Sequence, residues 1–339
     1  MKKLTITIIA SFWLLTVLGQ NGLNNGNLFL LLKDQRTISI NSFDNEKIYE
    51  IRTFPISEKS IFTTDQNARV AILDTATNVL TIFDVHSSNQ TNLSIPFDIR
   101  PKALLLSNDN LFIGGEMGKE ILIQYHLESK KWYQLEIPEE VMLYGKAIDD
   151  LVVNDTFLIA IDNIILPKYI LFYHLNSNSK VDLSHFKALR TNGPYESIHQ
   201  GRITEKYFGL ISETLSGYSG VSEHITIYDG LDLEKSFAIT TNVHEEDYHS
   251  FNDFLICNDK IIIASKEKGL GVFDVEKSYF KVFDYPRDTF NVQIGTSKID
   301  YTPFENRTIL KLTIIPNADR IVLTVENNSG IIEYEIIEI

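Results

Sequence analysis

Apolar residues come in short runs along most of this chain, rich in Ile, Val, Thr, Phe and Tyr and broken by Asn, Asp and Gly. Beyond the N-terminal segment no stretch holds a helical period for the length a helix needs, so the runs read as β-strands separated by turns. One strand type recurs, with an aromatic residue near its centre: Thr81–Val85, Ile123–Leu127, Leu171–Leu175, Ile227–Asp229, Val272–Val275 and Ile332–Ile336. Its aromatics are Phe83, Tyr125, Tyr173, Tyr228, Phe273 and Tyr334, spaced 42, 48, 55, 45 and 61 residues apart. Thr37–Ile40 makes a seventh copy, with Ser39 in the aromatic position.

Two further markers keep the same period. Polar turns lie between apolar runs near Asn25-Gly26, Gln66-Asn67, Asn108-Asp109, Asn154-Asp155, Glu205-Lys206, Asn258-Asp259 and Asn317-Ala318, as tight hairpins require. The strand after the aromatic one runs up to Pro55, Pro96, Pro138 and Pro286, and proline stops a ladder because it has no N–H. Each repeat therefore reads as a four-stranded antiparallel sheet. Seven such sheets face to face predict an all-β, seven-bladed β-propeller, which leaves only short sheet edges. The first and last repeats are each short of a strand, so either two blades are three-stranded or the terminal strands complement each other.

The repeat, with its strand, its Tyr/Phe-Asp/His pair, its polar turn and its Lys131-Trp-Tyr-Gln-Leu-Glu-Ile-Pro138 ending, resembles the blades of the WD40/YVTN superfamily. The resemblance implies a propeller over nearly the whole chain. The Gly-His and Trp-Asp signatures of WD40 repeats are absent, so it assigns no residue a role.

The N-terminus changes the picture of where the protein works. Lys2 and Lys3 precede an uncharged, largely apolar run from Leu4 to Leu18, followed by Gly19. That is the layout of a secretory signal peptide, and the run is shorter than the roughly 20 residues of a membrane span. Residues 1–19 are read as the signal and 20–339 as the propeller, with no integral membrane segment left after cleavage; the alternative is that the same segment stays as an uncleaved anchor. Gln20 stands where a lipoprotein would carry Cys. The protein is thus expected to be secreted or periplasmic.

Of 339 residues 44% are hydrophobic, which supplies a large core, and the formal net charge of −14 becomes −16 without the two N-terminal lysines. So acidic a surface repels phosphate backbones and anionic lipid, which argues against nucleic-acid or membrane-surface partners. Cys257 is the only cysteine, so no intramolecular disulfide forms; within Phe254-Leu-Ile-Cys257 it reads as a small buried hydrophobe.

Candidate chemistry follows from loop length. In a propeller, the connections from second to third strand and from fourth strand to the next blade share one face. Most here are short, and the long ones gather in blades five to seven, where length beyond need marks function. They are the approach Gly193–Gln200, a loop Ser212–His224 containing Gly217-Tyr-Ser-Gly220, and Val243–His249. Together they offer Tyr195, His199, Tyr218, His244, Glu246, Asp247 and His249 as a ligand-binding surface. Aromatic faces beside carboxylates and imidazoles suit a carbohydrate or protein ligand. The segment His244–His249 could also ligate a divalent metal, but its i, i+5 histidines match no established motif, so neither a metal nor a cofactor is predicted.

Weaker candidates read as structural. Gly114-Gly-Glu-Met-Gly118 lies between strands rather than before a helix, so it is no phosphate cradle. Lys146, Asp149 and Asp150 fall on the channel-lining strand of blade four, where polar side chains are expected to satisfy one another. Asp288–Thr308 is too apolar for a free linker and is expected to pack on the propeller's side or its channel mouth. Five Asn-x-Ser/Thr sequons are what so Asn-rich a chain gives by chance. The sequence favours a monomeric binding module for a glycan, peptide or protein over a propeller-type hydrolase or lyase, since fold alone assigns no activity.

Overall fold

The computed structural model describes residues 4–5, 28–34, 36–44, 47–65, 68–87, 89–116, 121–137, 147–162, 169–176, 181–190, 196–216, 220–229, 235–240, 251–257, 259–265, 269–275, 280–284, 291–295, 300–302, 307–315 and 320–338. Among them there are strands, turns and bends but no helix, hence none long and apolar enough to cross a membrane.

After β1 (Leu4–Thr5), the strands fall into seven sheets taken in chain order. The first sheet is β2 (Leu28–Asp34), β3 (Thr37–Asp44) and β4 (Lys47–Pro55). The second is β5 (Ser60–Thr64), β6 (Arg69–Asp74), β7 (Val79–Asp84) and β8 (Gln90–Ser94). The third is β9 (Arg100–Ser107), β10 (Asn110–Glu116), β11 (Leu122–His126) and β12 (Lys131–Gln134). The fourth is β13 (Asp150–Val153), β14 (Phe157–Ile161), β15 (Tyr169–Leu175) and β16 (Val181–Arg190).

The fifth sheet begins with β17 (Glu196–Ile203), β18 (Tyr207–Ser216), β19 (Gly220–Asp229) and β20 (Lys235–Thr240). The sixth begins with β21 (Phe251–Cys257), β22 (Lys260–Ser265) and β23 (Gly269–Asp274). Its expected fourth strand, β24 (Phe280–Asp284), instead pairs with β25 (Asn291–Gly295), and β25 adds in parallel to β20 at the outer edge of the fifth sheet. The place beside β23 is taken by β26 (Asp300–Thr302). The seventh sheet is β27 (Arg307–Ile314), β28 (Arg320–Asn327) and β29 (Ile332–Glu338), completed by β1 through Leu4↔Ile336 and Thr5↔Glu335.

The expectation of four antiparallel strands per sheet is therefore corrected in three places. The first sheet has three strands, the fifth has six with one parallel pair, and the seventh borrows its fourth from the N-terminus. The Asp288–Thr308 insertion is the reason for the fifth, to whose outer edge it adds β25, and it also supplies β26, which takes the fourth place of the sixth sheet.

The second strands β6, β10, β14 and β22 are buried on both faces, which is why each reads as a continuous apolar run. Along Ile261-Ile-Ile-Ala264, Ile261 and Ile263 pack toward the fifth sheet while Ile262 and Ala264 pack toward the seventh. Leu158 and Ala160 likewise face the third sheet, and Ile159 and Ile161 the fifth. Two-residue periodicity thus places one core between each pair of successive sheets. A seventh cluster, Phe29 and Leu31 with Ile315, Val322 and Ile336, joins the last sheet to the first.

The recurring aromatics hold equivalent places. Phe83, Tyr125, Tyr173, Tyr228 and Phe273 stand opposite Val70, Leu111, Leu158, Phe208 and Ile261, each the second residue of its neighbouring strand. Tyr334 does not belong to the set: it lies opposite Thr324, and the equivalent residue of the seventh sheet is Ile337, opposite Ile321. The Asn108-Asp109 turn is as predicted, with Asn108 at φ 48°, which asparagine tolerates. Cys257 is half-buried rather than buried, and burial pushes its thiol pKa up to about 11, away from reactivity.

Candidate functional site

Of the seven predicted ligand-binding residues, Tyr195, Tyr218, His244, Glu246, Asp247 and His249 lie outside the described residues. His199 lies on β17, where it is the extra residue of a β-bulge: Ile198 faces Ser212 and Gln200 faces Ile211, with His199 unpaired between them. The same bulge recurs in the first strands of other sheets, at Lys102 on β9, Asn252 on β21 and Leu310 on β27. A bulge bends its strand and re-aims the residues around it.

The strand ends that carry the undescribed segments are well defined. Glu196, directly after Tyr195, starts β17 opposite Thr214; Ser216 and Gly220 close the ladder on either side of Tyr218. Thr240, the last residue of β20, stands opposite His224 on β19. Phe251, the first residue of β21, donates its backbone N–H to Glu223 Oε2. Residues 241–250 therefore leave beside His224 and return beside Glu223, its neighbour on the same strand. All three segments depart from one end of the fifth sheet.

The reading of Ser212–His224 as a loop is corrected: it is a β-hairpin whose only connection is residues 217–219. Its polar sequence looked loop-like, but the ladder is built of backbone groups and runs on past the apolar residues Ile211 and Ile225. Sequence reasoning consequently missed three residues of this corner. Glu223 anchors the sixth sheet, and half-buried His224 has its pKa lowered by burial, which keeps the imidazole neutral and able both to donate and to accept. Ser212, across the ladder from His224, is buried, and among the described residues its hydroxyl has no hydrogen-bond partner. The alternation of His224, Thr226 and Tyr228 with Ile225 and Ile227 was the available signal, and it covers only the second half of β19.

The first strands carry a second set of polar groups, and here the expectation of mutual satisfaction is largely met. Lys102 Nζ lies 2.7 Å from Glu116 and 2.9 Å from Asp149. Burial works against its charge, yet the two carboxylates outweigh it and raise its pKa. Asp150 accepts the backbone N–H of Gly201 at 2.7 Å and of Leu151 at 2.9 Å, so it links the fourth sheet to the fifth. Burial raises its pKa despite those bonds and the nearby Arg202. Asp253 plays the same part between the sixth and seventh sheets, and also pairs with Arg202 of the fifth at 2.7 Å. Lys146 lies outside the described residues.

No protein-family model and no curated protein matches the sequence. Among solved structures the chain is similar to Kluyveromyces lactis Hsv2, at 10% identity and a TM-score of 0.52, over 93% of this chain and 95% of that one. It is equally similar to the computationally designed Ika8 protein, at 9% identity and a TM-score of 0.52, over 93% and 97%. At such identities the likeness speaks for the fold alone. With the cyclic succession of sheets and cores, it makes this chain an all-β protein of the β-propeller type.

Proposed function

We propose that this chain is an exported, monomeric, seven-bladed propeller acting as a binding module for a glycan, peptide or protein partner. Its binding surface is formed by Tyr195, His199, Tyr218, His244, Glu246, Asp247 and His249 at the end of the fifth and sixth sheets. The observation that carries this reading is that the described residues on either side of 241–250 meet adjacent residues of β19: Thr240 stands opposite His224, and Phe251 donates its N–H to Glu223. The turn containing Tyr218 and the entry to β17 after Tyr195 leave from the same sheet end, so one ligand can meet all three. Cross-links such as Asp150 to Gly201 and Asp253 to Leu312 stiffen the scaffold beneath. The basic, apolar N-terminus supports export, and cleavage after Gly19 would remove β1 from the edge of the seventh sheet.

The test is an array of immobilised oligosaccharides and peptides probed with the purified protein, followed by titration of each positive. Tyr218→Ala and His249→Ala are each expected to cost about 1–2 kcal/mol of affinity or more, with the thermal midpoint unchanged. Stability lost with binding intact would show instead that these residues hold the two sheets together.

A further inference from the structure

In each of the first six sheets the recurring strand type is covered on its outer side by a further strand. β4 covers β3, β8 covers β7, β12 covers β11, β16 covers β15, β20 covers β19 and β26 covers β23. In the seventh sheet the recurring strand is β29, and among the described residues its cover is β1, through Leu4↔Ile336 and Thr5↔Glu335. The composition of β29 suits the inside of a sheet. Ile336 is buried against the first sheet, and Ile337 packs toward the sixth. Outer strands elsewhere are polar and exposed: β8 is Gln-Thr-Asn-Leu-Ser, and β12 exposes Lys131, Tyr133 and Gln134.

Leu4 and Thr5 fall within residues 1–19, so removal of the signal takes the cover away. A strand edge laid open in this way is a template for another extended chain. Its charges decide which chain fits. Glu333 is exposed, and Glu338 keeps 73% of its side chain exposed although it pairs with Arg320; buried Glu335 is held by Arg307. Two copies of this chain pairing here would bring three glutamates each to one ladder, and like charges across strands disfavour that pairing. The strand seated on β29 in this structure follows Lys2 and Lys3 directly.

We propose that the exported chain accepts, at the outer edge of β29, an antiparallel strand from another protein, with an apolar residue opposite Ile336 and a basic residue opposite Glu338. The inference rests on the proposed removal of residues 1–19 and is independent of the seven-residue binding surface.

The test uses the chain as exported, its N-terminus read by mass spectrometry, and an acetylated peptide of residues 1–8, Met-Lys-Lys-Leu-Thr-Ile-Thr-Ile, as the probe. In the register of β1 this peptide sets Lys2 opposite Glu338 and Thr7 opposite Glu333. Hydrogen exchange is expected to slow saturably in β29 and to stay unchanged in β8 and β12. A peptide with Glu for both lysines should bind at least about fivefold more weakly, as a cross-strand charge pair reversed in sign requires. The same peptide N-methylated from Lys3 to Thr7, which lacks the ladder donors, should not bind. Glu338→Lys should reverse the preference between the lysine and glutamate peptides. Retention of Met1 overturns this proposal and the export reading together. With a chain that begins near Gln20, three results overturn this proposal alone: β29 amides already protected without peptide, no response to the peptide, or equal binding of its N-methylated form.

Discussion

Asp253 meets three donors with two oxygens: the N–H of Phe254, the N–H of Leu312 and the Arg202 guanidinium. Its side chain is 3% exposed and that of Arg202 26%, so solvent does little to screen the pair. Such a pair need not stabilise the fold over an apolar substitute, but losing one partner leaves a charge and an N–H without solvation. Asp253→Ala is therefore expected to lower the unfolding free energy by about 3–5 kcal/mol, read from urea denaturation. Asp253→Asn keeps one acceptor and should lose less. A loss within the roughly 0–1 kcal/mol of an exposed pair would show that water reaches the site. The residue's type and its place in a strand were visible in the sequence; its partners, 51 residues before and 59 after, were not.

At the scale of the element, the Gly-rich stretch of β10 shows how one composition has two readings. Gly114 and Gly115 are there for close packing. A Cβ on Gly114 would lie 2.4 Å from Ile148 Cγ2, and one on Gly115 would lie 2.4 Å from the backbone oxygen of Arg100. The Gly115 backbone also accepts the Ile148 N–H at 2.9 Å, joining the third sheet to the approach of β13. A backbone carbonyl cannot swing aside as a side chain can, so Gly115→Ala should destabilise by about 1–3 kcal/mol, measured by thermal or urea unfolding. A neutral result would mean that β9 and β10 separate at that point without cost. The Ser212–His224 hairpin carries the complementary lesson. Its polar side chains hid a strand, because pairing there depends on a neighbouring backbone that is already in place.

For the whole molecule, the decisive contact is the seventh cluster, where Phe29 and Leu31 meet Ile315, Val322 and Ile336. Propeller stability depends on each sheet burying both faces, and among the described residues this cluster is the only one made by residues from opposite ends of the chain. Leu31 is 2% exposed, as deep as the core residues between successive sheets. Leu31→Ala should accordingly cost about 2–5 kcal/mol, the range for truncating a buried leucine, and should do so in a single cooperative transition. A loss near zero, or a separate early transition for the ends of the chain, would show that the first and last sheets do not close on each other.

The sequence by itself determined that the chain is built of β-strands, that they repeat, and that Phe83, Tyr125, Tyr173, Tyr228 and Phe273 mark corresponding places. These properties follow from local alternation, turn chemistry and spacing, all of which are written along one strand and its neighbour. It also pointed to blades five to seven as the place where long connections gather, although one of these, Ser212–His224, is a hairpin. Only the tertiary structure decided which strand fills each outer edge, how β24 and β25 join the fifth sheet rather than the sixth, and that β1 pairs with β29. It alone brought Arg202, Asp253 and Leu312 together, and set Glu223 and His224 against Phe251 and Thr240. The physical reason is the same in each case: edge pairing and charge pairing join residues far apart in sequence, so their outcome depends on which partners the folded sheets bring within reach.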